Sequence, residues 1–334
     1  MRFAPELAGP HDPEVSSPAR RPGSIRRTTS IDSARPDGVH GVTVLDARAR
    51  DVRTDDDGAI EVLGTDGFRA EVDPTWTIRS ITGDEPGLAA LVDAGIRGGF
   101  RALVDRELPD HAAQHSPLHL LLDDLPGAIL VAGYAGQRVD DGVMAAMVRD
   151  ASDMIFGQAD ICAGWAADAS ILTIYSATRE VPVPLGPIAP ELIPPDDADA
   201  WHAMDPLGPH GMRRRRRLDL GPWEPDGHTR NFDAHFRDSH LDEHGVETAL
   251  HEYTVRGRLD GVERRITAIE AHARVLPWVE CPSAVASAQR LVGAPLAGLR
   301  ADVRRDFVGV STCTHLNDTL RSLEDLETLL DLGR

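Results

Sequence analysis

The chain carries one pattern twice, and this constrains its fold more than any other feature. Arg26-Arg27-Thr28-Thr29-Ser30-Ile31-Asp32, ending at Pro36-Asp37-Gly38, is echoed by Arg214-Arg215-Arg216-Arg217-Leu218-Asp219, ending at Pro225-Asp226-Gly227. Further matches follow in the same order: Asp46 to Asp51 with Asp233 to Asp238, Leu91-Val92-Asp93-Ala94 with Leu291-Val292-Gly293-Ala294, Gly99 to Val104 with Gly298 to Val303, and His119-Leu120 with His315-Leu316. The offset holds at about 190 to 200 residues, the signature of an internal repeat. Where the second copy has Cys281 and Cys313, the first has Glu85 and Pro117, so the first copy reads as chemically silent.

The expected organisation is a disordered arm over residues 1–24, rich in Pro and Arg, and a degenerate first copy over 25–125. A connecting segment over 126–204 and a second copy over 205–334 complete it. The connection holds an amphipathic helix near Val143 to Ile155 and the apolar stretch Ile171 to Tyr175. The six prolines between Pro182 and Pro195 read as an extended linker that puts a domain boundary near residue 200. In the second copy, Val246 to Leu259 and Val262 to Val275 are strand-like around a Leu259-Asp260-Gly261 turn. Pro282 opens a helical region. Leu296, Leu299, Val303 and Phe307 share one helical face, as do Leu316, Leu320, Leu323 and Leu330. The predicted class is therefore α+β, a tandem duplication in which each copy is an antiparallel β-meander followed by helices.

Composition removes several functions. All 35 basic residues are arginine, which excludes lysine Schiff-base chemistry, the phosphate-loop lysine and Ser-Lys catalysis. A net charge of −19 opposes a nucleic-acid partner, and the run Arg213 to Arg217 reads as a solvated strand start. The apolar run at Ala128 to Ala132 is too short for a bilayer, and residues 1–24 lack the apolar core of a signal peptide, so a cytoplasmic protein is expected. Three cysteines without a secretion signal point to thiolate chemistry or metal binding rather than disulfides, with Cys162 the least committed. Gly127, Gly133 and Gly136 lack the dinucleotide spacing and read as a plain turn beside a strand-like run. His111, His115 and His119 have metal-stripe spacing, but Pro109 and Pro117 interrupt the helix it needs, which leaves them as loop histidines.

The candidate site combines His251 in the first hairpin strand, Cys281 at the end of the second, and Cys313 with His315 at the start of the last helix. Two thiolates and imidazole suit one zinc or iron ion. Cys313 could instead be a nucleophile with His315 or His251 as base, and both cysteines could simply be buried small hydrophobes.

These residues resemble a bacterial domain-of-unknown-function family, number 2889, over about residues 205–330. The pieces are Met212-Arg213-Arg214, Leu218-Asp219, Leu250-His251-Glu252, Val279-Glu280-Cys281-Pro282, Leu291-Val292-Gly293 and Thr312-Cys313-Thr314-His315-Leu316, with Thr312 in place of the usual glycine. Asp160 to Trp165 looks like a motif of the longer members. The family implies no general activity beyond an association with catabolism of acyl thioesters. More distantly, the arrangement is similar to the NifU/IscU-type iron-sulfur scaffold, which would place His251, Cys281, Cys313 and His315 around a metal at the sheet end. His251 in place of a cysteine favours a mononuclear metal over a cluster. The expected function is a metal-dependent lyase or hydrolase acting on a small acyl or carbonyl substrate, with Glu252 as acid or base. The competing reading is a non-catalytic metal-binding or interaction protein with a closed Cys/His site. A small-molecule substrate is the expected partner, with a homodimer left open.

Overall fold

The computed structural model describes residues 5–139 and 152–333. Eight strands form one antiparallel sheet: β1 Ile25–Ala34, β2 Thr43–Thr54, β3 Ile60–Val72, β4 Ile78–Gly83, β5 Met212–Trp223, β6 Thr229–Leu241, β7 Glu247–Asp260 and β8 Arg265–Val275, in the order β4-β3-β2-β1-β5-β6-β7-β8. Each half is a meander of sequential hairpins, and β1 pairs antiparallel with β5 at the centre, from Ile25 opposite Leu220 to Ser33 opposite Met212. The boundary expected near residue 200 thus separates two halves of one continuous sheet, so the fold is mixed α+β.

Local chemistry repeats across the centre. The β2–β3 turn is closed by Asp55, whose Oδ1 accepts the N–H groups of Asp57 and Ala59. The β6–β7 turn is closed by Asp242 in the same way, with His244 and Val246 as donors. Both turns end on a glycine at positive φ, Gly58 and Gly245, where a side chain would be strained. Arg27 clamps Asp51 and Arg214 clamps Asp238, each pair joining the first two strands of its half. Arg26–Asp219 and Arg213–Asp32 bridge the two halves.

Helices cover one face: α1 Phe100–Glu107 and α2 Pro117–Ala132 over the first half, α3 Ser170–Thr178, α4 Leu299–Asp306, α5 Thr314–Ser322 and α6 Leu326–Leu332 over the second. Leu118, Leu121, Leu122 and Leu125 of α2 are buried at no more than 1% exposure, and Leu316, Leu320, Leu323, Leu326 and Leu329 are fully buried at the other end. The stretch expected to be a turn at Gly127 to Gly136 is helical instead. Among the described residues one helical segment, Pro117–Arg138, is long and apolar enough to cross a membrane, and 83% of its most apolar window is buried inside the protein. Gly127 is needed for packing rather than for turning, since a Cβ there would meet Arg214 Nη1 at 2.2 Å. His119 falls within α2, buried, and its Nε2 lies 2.9 Å from Asp105. The helix expected near Val143 to Ile155 lies largely outside the described residues; Ser152–Phe156 is helical.

The other face is covered by the segments expected to be disordered or linking. Gly9 N–H donates to Leu276 O, Asp12 N–H to Arg274 O and Ser17 N–H to Leu192 O. Trp201, 2% exposed, donates its indole N–H to Ser17 Oγ. The proline-rich segment is extended as expected, and Ile188 bridges Thr248 at the start of β7. From Gly9 to Ser17 the backbone finds partners on the sheet and the linker, which composition alone does not reveal.

The Arg213 to Arg217 run is not a solvated strand start. All five residues are 7% exposed or less, because β5 is central and covered on both faces. Alternation sends Arg214 and Arg216 under the helices, to Asp238 and Asp124, and Arg213, Arg215 and Arg217 to the other face, where Asp32, Glu191, Asp219 and Asp233 receive them.

Candidate functional site

Three side chains meet at the helix-covered end of the second half. Asp238 on β6 stands opposite His251 on β7, and His315 comes from the first turn of α5. Asp238 Oδ2 lies 3.2 Å from His251 Nδ1 and 4.0 Å from His315 Nδ1, and one ligand atom from each residue falls within 4.8 Å of the others. The two imidazoles stack with centroids 3.8 Å apart, and the Phe236 ring lies nearly parallel to that of His315 at 6.1 Å.

The electrostatics are fixed by burial and Arg214. Burial opposes ionisation of Asp238, but Arg214, donating Nε to Oδ1 at 2.8 Å and Nη2 to Oδ2 at 3.0 Å, together with His251, holds the carboxyl well below the usual range. Burial, with His251 beside it, pushes His315 down to about 3, so its ring is neutral near pH 7 and one of its two nitrogens carries a free electron pair. Its Nδ1 is buried without a hydrogen-bond partner. An orphaned imidazole nitrogen beside a carboxylate and a second imidazole fits a cation.

His251 and His315 of this group line a largely apolar cavity of about 200 Å³, together with Leu130, Trp165, Val181, Leu276 and Trp278 among others. Of the residues singled out in the sequence, His251, His315, Cys281 and Cys313 all line this cavity, and so does Cys162, drawn in from the connecting segment. The sulfurs are not part of the group within 4.8 Å, which among the described residues is formed by Asp238, His251 and His315 alone. Burial raises all three thiols, Cys162 to about 11, so none is a ready thiolate nucleophile at neutral pH without a cation beside it.

Glu252 is not brought to this group. Strand alternation turns it to the opposite face, where its oxygens lie 3.0 Å from His235 Nε2, 2.8 Å from Arg237 Nε and 2.8 Å from the Glu14 N–H. Sequence reasoning missed Asp238, which had been matched to Asp51 only as shared framework. The signal that could have found it is its register, directly across a hairpin from the histidine.

Residues 212–328 match the family model described as a protein of unknown function (DUF2889). The DUF2889 segment contains β5 to β8 and carries Asp238, His251, Cys281, Cys313 and His315, while Cys162 lies outside it. No curated protein and no solved structure gives a significant match, so the likeness to the NifU/IscU scaffold stays with the sequence pattern.

Proposed function

We propose that the chain is a metal-dependent enzyme in which His251, His315 and Asp238 hold one zinc or iron ion. The observation that carries this reading is the buried, partnerless His315 Nδ1, 4.0 Å from Asp238 Oδ2, in a group of three residues that each bring one ligand atom within 4.8 Å of the others beside an apolar cavity. Two histidines and a carboxylate suit a borderline divalent ion and leave coordination positions open. Each Asp238 oxygen has lone pairs beyond those that receive Arg214, so the arginine orients the carboxylate without exhausting it. When bound, the ion supplies Lewis acidity toward a carbonyl oxygen or a bound water. The apolar walls favour a small acyl or carbonyl substrate, an acyl thioester included, processed by a lyase or hydrolase. A cytoplasmic location accords with this substrate class.

In this reading the ion moves from the Cys/His set to the Asp/His set, and Glu252 serves the fold rather than the proton transfer. The two halves are proposed to be copies of one unit, the first having lost the ligands. Support comes from the equivalent Arg27–Asp51 and Arg214–Asp238 clamps and the matching Asp55 and Asp242 turns. A closed, non-catalytic site is the competing reading, disfavoured by the cavity beside the triad.

The test is metal analysis of the purified protein, counting metal not accompanied by labile sulfide. About one equivalent of zinc or iron per chain is expected, lost in Asp238→Asn and His315→Ala. Full retention of that equivalent in His315→Ala would refute the assignment.

A further inference from the structure

The first half holds none of the proposed metal ligands, yet it forms one wall of a basic cleft. This open hollow of about 530 Å³ lies where α1 and the end of α2 face α4 and α5, and Arg97, Arg101, Arg304 and Arg321 line it together with Asp318. In a chain of net charge −19 that gathering of guanidinium groups runs against the overall field. Asp318 is already engaged, by Arg321 at 2.7 Å and Arg214 at 3.3 Å. Arg101 shares the one carboxylate of Asp123 with Arg300 and Arg321, and burial followed by Arg321 opposes its charge. Arg304 comes within 3.7 Å of Asp105, and Arg97, exposed over the Trp76 ring at 4.6 Å, meets no carboxylate among the described residues. Cation exceeds anion here, which suits an anionic ligand.

The second half shows what the same kind of helix start binds. α1 opens at Gly99 and α4 at Gly298, both at positive φ, 94° and 80°. At α4 the N–H groups of Gly298 and Arg300 donate to the two oxygens of Glu324 at 2.9 and 2.7 Å. Gly99 and Arg101 are the matching residues of α1; no side chain caps that helix, and both residues line the cleft. At the offset that matches His315 to His119, Glu324 falls on Ala128, so the first half lacks the carboxylate that closes the site in the second. A helix N-terminus left open beside arginines is an oxyanion site. On the facing helix, buried Asn317 donates Nδ2 to Phe307 O at 2.8 Å and keeps an Oδ1 without a hydrogen-bond partner, available to a hydroxyl or amide hydrogen of the same ligand.

Leu130, Thr314 and His315 line both this cleft and the apolar cavity, so the two hollows adjoin at a proposed metal ligand. No arginine lines the apolar cavity, which leaves the cleft to receive a negative charge. We propose that the cleft binds the oxyanion end, carboxylate or phosphate, of an organic substrate, held by Arg97, Arg101, Arg304 and the N–H groups that open α1, while the apolar end of the same molecule occupies the cavity beyond His315. The inference deepens the metal-enzyme reading and rests on it for the reaction, but the groups that hold the anion hold no metal.

The experiment is calorimetric titration of the full chain, as purified and after chelation, with inorganic phosphate and with hexanoate at constant ionic strength. Saturable binding of at least one probe is expected in both forms, the tighter probe identifying the oxyanion. Arg97→Gln and Arg304→Gln, both exposed and outside the buried ion pairs, should each weaken it about tenfold. Ala102→Glu, which tethers a carboxylate to the first turn of α1 at an exposed position, should abolish binding without loss of stability, since an acidic residue suits that turn. Absence of saturable binding of both probes would overturn the proposal, as would undiminished affinity in the combined Arg97→Gln, Arg304→Gln protein. Binding that disappears on chelation would overturn it too, because the anion would then sit on the metal. A chain that carries no metal as purified yet binds the probe through Arg97 and Arg304 would refute the metal reading and leave the anion site standing.

Discussion

Asp325→Ala is the sharpest probe of how the two halves are joined. Asp325, fully buried, receives Arg27 Nη1 from β1 at 2.9 Å and Arg300 Nη2 from α4 at 2.8 Å. After its removal Arg27 retains the two-point contact with Asp51. Arg300 retains only a 3.6 Å approach to Asp123, with its Nε and Nη1 already lacking hydrogen-bond partners. Stranding one buried charge costs about 3–5 kcal/mol, and the surviving Asp51 clamp places the expected loss near the lower end, about 3–4 kcal/mol. That is a large share of a typical stability of about 5–15 kcal/mol. Asp325→Asn should recover little, because one of its positions becomes an N–H facing a guanidinium. Asp302→Ala, which removes an exposed partner of Arg305, should leave the unfolding midpoint essentially unchanged. Urea unfolding followed by circular dichroism provides the assay, with a lowered midpoint and an unchanged slope expected. A loss below about 1 kcal/mol for Asp325→Ala would mean that water reaches Arg300 and that the buried network does not couple the halves.

Three further outcomes follow from the far face of the sheet. Burial, followed by Arg50, Arg48, Arg213 and Arg215, pushes His202 down to about 3 from 6.5, and Ser30 and Thr28 bond its neutral ring. The unfolded chain therefore takes up this proton first, so the stability His202 contributes is complete above pH 6.5 and drains away as pH falls toward 3. A His202→Asn variant should show a stability–pH slope shallower by about 1.4 kcal/mol per pH unit in the acid part of that window, measured by urea titration. Glu252→Gln should destabilise by about 3–5 kcal/mol by stranding Arg237, yet leave metal content unchanged; metal loss in a folded Glu252→Gln protein would return Glu252 to the site. Gly186→Ala would place a Cβ 1.5 Å from Ala249 O, so the proline-rich segment must lift from β7. Limited proteolysis should then cut between Pro182 and Pro195 faster than in the parent, and equal rates would refute that contact.

Hairpin strands and leucine-lined helices were legible because period-2 and period-3.6 patterns are written locally, and β7 and β8 fall within a few residues of the expected runs. The helix over Gly127 to Gly136 was not, since Pro126 and three glycines mimic a turn when the packing that requires Gly127 is unseen. Of the candidate site, His251, Cys281, Cys313 and His315 were legible by residue type and do share one cavity. Asp238 and Cys162 were not, because β-register and the docking of a connecting segment depend on long-range contacts. The same reason separates the arginine run from its expected place in solvent. Sequence by itself determined that five arginines sit on one strand; only the tertiary structure decided that this strand lies at the centre of the sheet, where charge survives burial because a carboxylate from elsewhere in the chain meets each guanidinium.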